Sequence, residues 1–113
     1  VVWEWGVFPD VNIMFQNIKS DGTYSVEQPI TLSNTAGYQF APIINGDIIN
    51  GLFIIYGNKN SGSIDLKIQK INVDFLPEWS DNGLTAMIGL DGDVNYSRSY
   101  RISDQDFLFV VGR

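Results

Sequence analysis

Short apolar runs bounded by turn residues recur along the chain, and in two stretches apolar and polar residues alternate with a period of two. In one stretch Val11, Ile13 and Phe15 share one parity, and the strand pattern then ends at Lys-Ser-Asp-Gly-Thr, a tight-turn signature. Such alternation, bounded by Gly, Pro, Asn and Asp, is typical of β-strands. The pattern predicts nine strands, at residues 1–5, 11–18, 30–33, 38–44, 51–58, 64–73, 84–90, 96–103 and 107–111.

The segment from Ile64 to Phe75 repeats the pattern of the segment from Val11 to Gly22, 53 positions earlier. The order of strands starts again at Gly51, and the first-strand pattern returns at Phe107. Self-similarity at a period of about 50 residues is typical of propeller blades or another repeat array. Three pairs of residues are identical in the two segments: Gln16 and Gln69, Ile18 and Ile71, Asp21 and Asp74.

We therefore predict an all-β fold of tandem four-stranded antiparallel blades, a β-propeller-like repeat of about two blades from a larger array. The first repeat spans residues 1–50, the second spans residues 51–106, and residues 107–113 are the first strand of a third. A sheet with two apolar faces needs neighbours to cover them. Because both ends of the chain lie in apolar strands, we expect flanking repeats of the same polypeptide, or partner chains, on both outer faces.

Composition and charge narrow the function classes. A chain of 113 residues is long enough for one core, and its 14 Ile and 9 Val favour strands. The net charge of −6, with seven basic residues and no histidine, lacks the positive footprint of a nucleic-acid-binding protein. No apolar run is long enough to span a bilayer. The absence of cysteine fits the cytosol and equally a bacterial surface protein without disulfides.

Eleven positions follow a longer motif: Gln39, Pro42, Gly51, Tyr56, Ser61, Gly62, Asp65, Gln69, Trp79, Asn82 and Gly83. In this pattern the chain resembles the propeller-like repeat of large secreted and cell-surface bacterial proteins, which often carry a C-terminal secretion sorting domain. That repeat joins a Gln-x-x-Pro strand, an aliphatic strand ending in Trp-x-Asp, a Ser-Gly loop, an Asp-Ile-x-x-Gln strand and a Trp before Asn-Gly. Here Tyr56 replaces the Trp and Asn58 the Asp. The resemblance implies a secreted or cell-surface bacterial protein with a structural role for the motif.

The three tryptophans are candidates for stacking against sugars. Trp3 and Trp79 fall at repeat positions, where packing between blades accounts for them. Trp5 has no aromatic counterpart in the second unit, where Asn58 stands, so Trp5 is the candidate ligand-binding residue. The paired glutamines, Gln16 and Gln69, are predicted to be buried amides that hold strand to loop through backbone hydrogen bonds.

A weak metal pattern occurs in Asp-Gly-Asp-Val-Asn, residues 91–95. Asp91, Asp93 and Asn95 alternate, as oxygen ligands of a Ca²⁺ loop do. Tyr96 stands where such loops have glycine, and no glutamate completes the ligand set, so an Asp-Gly turn is the favoured interpretation. We predict no metal and no cofactor. For catalysis the chain offers no histidine, no cysteine and no phosphate-binding glycine loop.

Three functions fit these patterns. The first is a non-catalytic structural or adhesive module that mediates protein or glycan interaction, and it requires no chemistry. The second is a carbohydrate-binding lectin-type propeller, in which Trp5 contacts the sugar. The third is a fragment of a glycoside hydrolase whose acidic pair lies on loops of other blades. We favour the first.

Overall fold

In a computed structural model the chain folds into β-strands and connecting turns. The structure describes residues 1–33, 35–47, 49, 51–60, 62–80, 82–90, 95–101 and 107–112. No helix occurs among these residues, so the predicted all-β class is confirmed. Each observed strand overlaps one predicted strand. The strands are β1 (Val2–Val7), β2 (Asp10–Phe15), β3 (Ile30–Thr31), β4 (Tyr38–Asp47), β5 (Gly51–Asn60), β6 (Ser63–Ile71), β7 (Leu84–Leu90), β8 (Asn95–Arg101) and β9 (Phe107–Gly112).

Strands β1 to β7 form one open mixed sheet, and β8 and β9 form a separate antiparallel pair. The order in the larger sheet is β1-β2-β4-β5-β6-β7, and β3 pairs with β2. Its pairs are antiparallel except at β2 and β4, which meet in one parallel bridge between Val11 and Tyr38. The Val11 amide donates to the Gly37 carbonyl there, at 3.3 Å.

This bridge changes the predicted architecture. Strands β4 to β7 form a continuous four-stranded antiparallel meander, while β1, β2 and β3 join it through the bridge instead of forming a separate sheet. The sheet differs from the predicted, purely antiparallel blades because β2 and β4 are parallel where they meet. The propeller-like arrangement and the repeat boundaries, 1–50, 51–106 and 107–113, stay predictions.

The hairpins β1–β2 and β5–β6 have the same register. Each of the six residue pairs in the first hairpin recurs in the second at an offset of 53 residues. The bridge that closes the turn after β2 recurs after β6 at the same offset. Examples are Val2↔Phe15 and Ile55↔Ile68, Glu4↔Ile13 and Gly57↔Leu66, and Ile18↔Tyr24 and Ile71↔Pro77.

The turns that follow the two hairpins share their backbone conformation despite different sequences. The turn at residues 19–23 is closed by a 2.8 Å backbone bond between its end residues, and the turn at 72–76 by a 2.9 Å bond. Gly22 has φ +84° in the first turn, and Phe75, at the same position of the second, has φ +61°. A side chain in this left-handed region is strained. Phe75 adopts it because its ring packs against the core.

Two hydrophobic layers lie on opposite faces of β5. The inter-unit layer joins residues of β2 and the β3 segment to residues of β5 and β6: Ile13, Phe15, Leu32, Leu52, Ile54, Tyr56 and Ile71. The second layer contains Phe53, Ile55, Ile64, Leu66 and Ile68. At an offset of 53, Ile13 and Phe15 correspond to Leu66 and Ile68, which lie in the second layer. The first hairpin therefore packs its apolar face against the opposite face of the second unit.

Candidate binding face

The outward face of β1 and β2 carries the exposed tryptophan. Side chains alternate along β1, so Trp3 and Trp5 project together, away from the inter-unit layer. Trp3 is half-buried, whereas Trp5 is 65% exposed. On β2 the register places Met14 opposite Trp3 and Asn12 opposite Trp5. An indole this exposed provides a rigid apolar surface for contact with a partner.

A shallow groove of about 280 Å³ lies on this face. Its lining residues are Trp3, Trp5, Met14, Gln28 and Pro29. The Thr31 hydroxyl donates to the Met14 sulfur at 3.4 Å. We call the surface formed by the five lining residues the tryptophan face.

The sequence pattern indicated Trp5 but not Met14, Gln28 or Pro29. The hairpin register would have found Met14, because it lies directly across from Trp3. The loop residues Gln28 and Pro29 carry no periodic signal.

The second unit shows what happens when the corresponding face is covered. The counterparts of Trp3 and Trp5 at an offset of 53 are Tyr56 and Asn58, which are 0% and 5% exposed. Tyr56 packs in the inter-unit layer, and its hydroxyl donates to the Asn82 carbonyl at 3.1 Å. Burial raises the pKa of Tyr56 above its ordinary value, and a hydrogen bond with Ser33 partly opposes that shift.

Gln39 of β4 connects the meander to β2 and to the segment that precedes β4. Its Oε1 accepts from the Ile13 amide at 3.3 Å, and its Nε2 donates to the Thr35 carbonyl at 3.0 Å and to the Thr35 hydroxyl at 2.9 Å. The side chain is fully buried. A buried amide with bonds to separate segments fixes their relative position.

Gln16 and Gln69 are buried and bonded to backbone, as predicted. Gln16 accepts from its neighbour's amide and donates to the Val26 carbonyl at 3.2 Å. Gln69 makes the corresponding bonds, with donation to the Ser80 carbonyl at 3.0 Å, and additionally accepts from the Trp79 amide at 3.1 Å. Both amides hold the strand to the following loop, and neither residue lines the groove on the tryptophan face.

Trp79 lies in the second layer rather than on a binding surface. It is half-buried, and its ring centroid is 5.7 Å from that of Phe53.

The Lys70 ammonium and Glu78 carboxylate form an ion pair at 3.0 Å beside a second groove of about 380 Å³. Both charged side chains are partly exposed, so this pair contributes little to stability.

The candidate calcium loop lies largely outside the described residues, which exclude 91–94. Within the ranges that the structure describes, no group of three or more His, Cys, Asp or Glu side chains could hold a metal ion. The same residues contain no helix that could cross a bilayer. Comparison of the chain with protein family models, with curated proteins and with solved structures finds no match.

Proposed function

We propose that the chain is a non-catalytic structural and adhesive module of a secreted or cell-surface bacterial protein, built from propeller-like repeat units. The inter-unit layer is the observation that supports this function. It shows one hairpin covering the opposite face of a second hairpin of the same register. Units that stack in this way extend an array without any reactive group.

The tryptophan face is the interaction surface of this module. On the second unit the counterparts of its two tryptophans, Tyr56 and Asn58, are buried, and Tyr56 packs against the first unit, whereas Trp5 is 65% exposed. An indole and a thioether on a flat sheet face form an apolar contact surface for a protein partner. The partner packs on the tryptophan face of the first unit, as the first hairpin packs on the face of the second unit that contains Tyr56.

The test is self-association of the purified 113-residue chain by sedimentation velocity over a wide concentration range. We expect reversible association that weakens at least ten-fold in Trp5→Ser. Tyr24→Ser is the matched control, because Tyr24 is 55% exposed but lies outside the tryptophan face. A wild-type chain that stays monomeric at the highest concentration, or equal loss in both variants, would contradict the proposal.

A lectin is the second candidate function, favoured by the exposure of Trp5 beside the Gln28 amide. A pyranose stacked on the indole would leave its hydroxyls within reach of that amide. Intrinsic tryptophan fluorescence, titrated with a panel of oligosaccharides, distinguishes the two functions. Saturable quenching by one sugar, lost in Trp5→Ala and accompanied by dissociation of the self-associated protein, would support the lectin.

A further inference from the structure

Among the described residues, one edge of β1 is open. The strand pairs with β2, and no other residue in the described ranges pairs with its second edge. Val1 and Gln16 exchange two backbone hydrogen bonds, at 2.7 and 2.9 Å, which fixes the alternation along the hairpin. The odd-numbered residues at this end of the chain, like Val1, direct their N–H and C=O groups to β2. Val2, Glu4 and Gly6 therefore present theirs at the open edge.

Strand β5 shows what occupies this edge in the second unit. It has the register of β1 toward its hairpin partner, and on its other edge it pairs antiparallel with β4. The counterparts of Val2, Glu4 and Gly6 form the pairs Ile43↔Ile55, Phe40↔Gly57 and Tyr38↔Lys59.

The same pairing occurs a second time in β8 and β9. Four successive pairs, from Arg101↔Phe107 to Arg98↔Val110, match the four from Asp47↔Gly51 to Ile44↔Ile54. The register of β8 shifts directly after these pairs, between Arg98 and Tyr96, and that of β4 shifts one pair later, between Ile43 and Phe40. A strand of β1 type thus has a strand of β4 type beside it in both places where the structure describes that edge.

The β1 edge carries few of the features that block strand addition. Exposed edges are usually protected by lysine, proline, a bulge or a covering segment. The sequence of β1, Val-Trp-Glu-Trp-Gly-Val, has no lysine and no proline. Its one charged residue, Glu4, accepts a 2.7 Å bond from the Ala41 amide through its side chain, which leaves its backbone groups at the edge.

We infer that the open edge of β1 binds an extended segment of the β4 type, contributed by another unit of the same repeat, as an added antiparallel strand. The register places the tyrosine of that segment opposite Gly6, its phenylalanine opposite Glu4 and its first isoleucine opposite Val2. Main-chain hydrogen bonds provide the affinity of such strand addition, and the sequence pattern sets the register. This inference names a partner for the proposed interaction module and rests on that function.

The probe is a synthetic peptide with the sequence of residues 37–47, Gly-Tyr-Gln-Phe-Ala-Pro-Ile-Ile-Asn-Gly-Asp, labelled at its C-terminus. We expect saturable one-to-one binding to the full chain by fluorescence anisotropy. Hydrogen exchange should slow at the amides of Val2, Glu4 and Gly6. The amides of Trp3 and Trp5, already directed to β2, should not change.

Two N-methylated peptides are the matched controls. Methylation at the phenylalanine blocks an N–H that faces β1, and should weaken binding at least ten-fold. Methylation at the neighbouring glutamine blocks an N–H that faces away, and should leave binding within about two-fold. Failure of the unmodified peptide to bind, equal effects of the two methylations, or protection at β7 instead of β1 would overturn the inference.

These results separate the inference from the proposed function. If the peptide fails to bind while association still depends on Trp5, the strand-addition inference alone is wrong. If the peptide binds in the expected register but Trp5→Ser has no effect on association, the tryptophan face is wrong.

Discussion

Replacing Ile13 by Ala tests whether the two units form one cooperative structure. Ile13 is 0% exposed and packs in the inter-unit layer against β5. Truncation of a fully buried isoleucine to alanine costs about 2–5 kcal/mol, because transfer energy is lost and a cavity remains. We expect about 3 kcal/mol, a large part of the roughly 5–15 kcal/mol that stabilises a typical domain. With a urea m-value of about 1–3 kcal/mol/M, the midpoint falls by about 1–3 M.

The assay follows the second unit separately from the whole chain. In a Trp3→Phe, Trp5→Phe background, fluorescence reports on Trp79 alone, which packs against Phe53 in the second unit. Far-ultraviolet circular dichroism reports on all strands. If the inter-unit layer couples the hairpins, Ile13→Ala lowers both midpoints by the same amount.

The control is Met14→Ala, on the same strand but facing the tryptophan face. Met14 is only half-buried, so its truncation should cost less than that of Ile13. A Trp79 midpoint that stays unchanged in Ile13→Ala, while the circular dichroism midpoint falls, would show independent hairpins and refute the stacking argument.

Three further predictions concern single side chains and are measured by urea unfolding. Ala41 has φ +51°, so Ala41→Gly should raise the free energy of unfolding by about 1 kcal/mol. Gly37 has φ +119°, and a Cβ added there would lie 2.7 Å from the Lys59 carbonyl oxygen, so Gly37→Ala should lower the free energy of unfolding by more than that amount. Because the pKa of Tyr56 is raised in the folded chain, the unfolded chain loses the hydroxyl proton first, and stability should fall as pH rises above about 10. The fall should be less steep in Tyr56→Phe, and an unchanged slope would contradict a raised pKa of Tyr56. Gln69→Ala removes the three hydrogen bonds of a buried amide and should cost about 3 kcal/mol; a loss below about 1 kcal/mol would show that water replaces them.

The strands and their pairing in hairpins were predictable because they depend on local pattern. Apolar runs, alternation and turn residues located the nine strands that the structure describes, and the echo of Val11–Ile18 at Ile64–Ile71 anticipated one register in two hairpins. The structural role of Gln16 and Gln69 followed from their identical positions. Each of these signals lies within a few residues of the structure that it specifies.

Long-range features were not predictable from the pattern. The parallel bridge between Val11 and Tyr38 joins residues 27 positions apart in the sequence. The pattern of apolar and polar residues within each strand does not specify which strand of the meander lies beside β2. Phe75 carries no turn signature, yet it occupies the left-handed position of Gly22, because core packing outweighs its backbone preference. The mismatch with Asn58 indicated Trp5 as a candidate, but no local pattern indicates that the loop residues Gln28 and Pro29 line a groove beside it.

The hydrogen bonds of the two glutamines locate a difference in length between the repeats. As far as Ser25 and Glu78, equivalent residues of the two copies are 53 apart. Each of these residues donates its amide to the carbonyl of the residue that follows the glutamine, Asn17 or Lys70. The next bonded carbonyls, of Val26 and Ser80, are 54 apart, and so are Thr31 and Thr85, which pair with β2 and β6. Trp79 is therefore the extra residue of the second copy. A sequence search at one fixed spacing loses phase at this loop, whereas the strands on either side keep their partners. The same position is where an engineer could lengthen the first copy, next to Gln28 and Pro29, without shifting the sheet register.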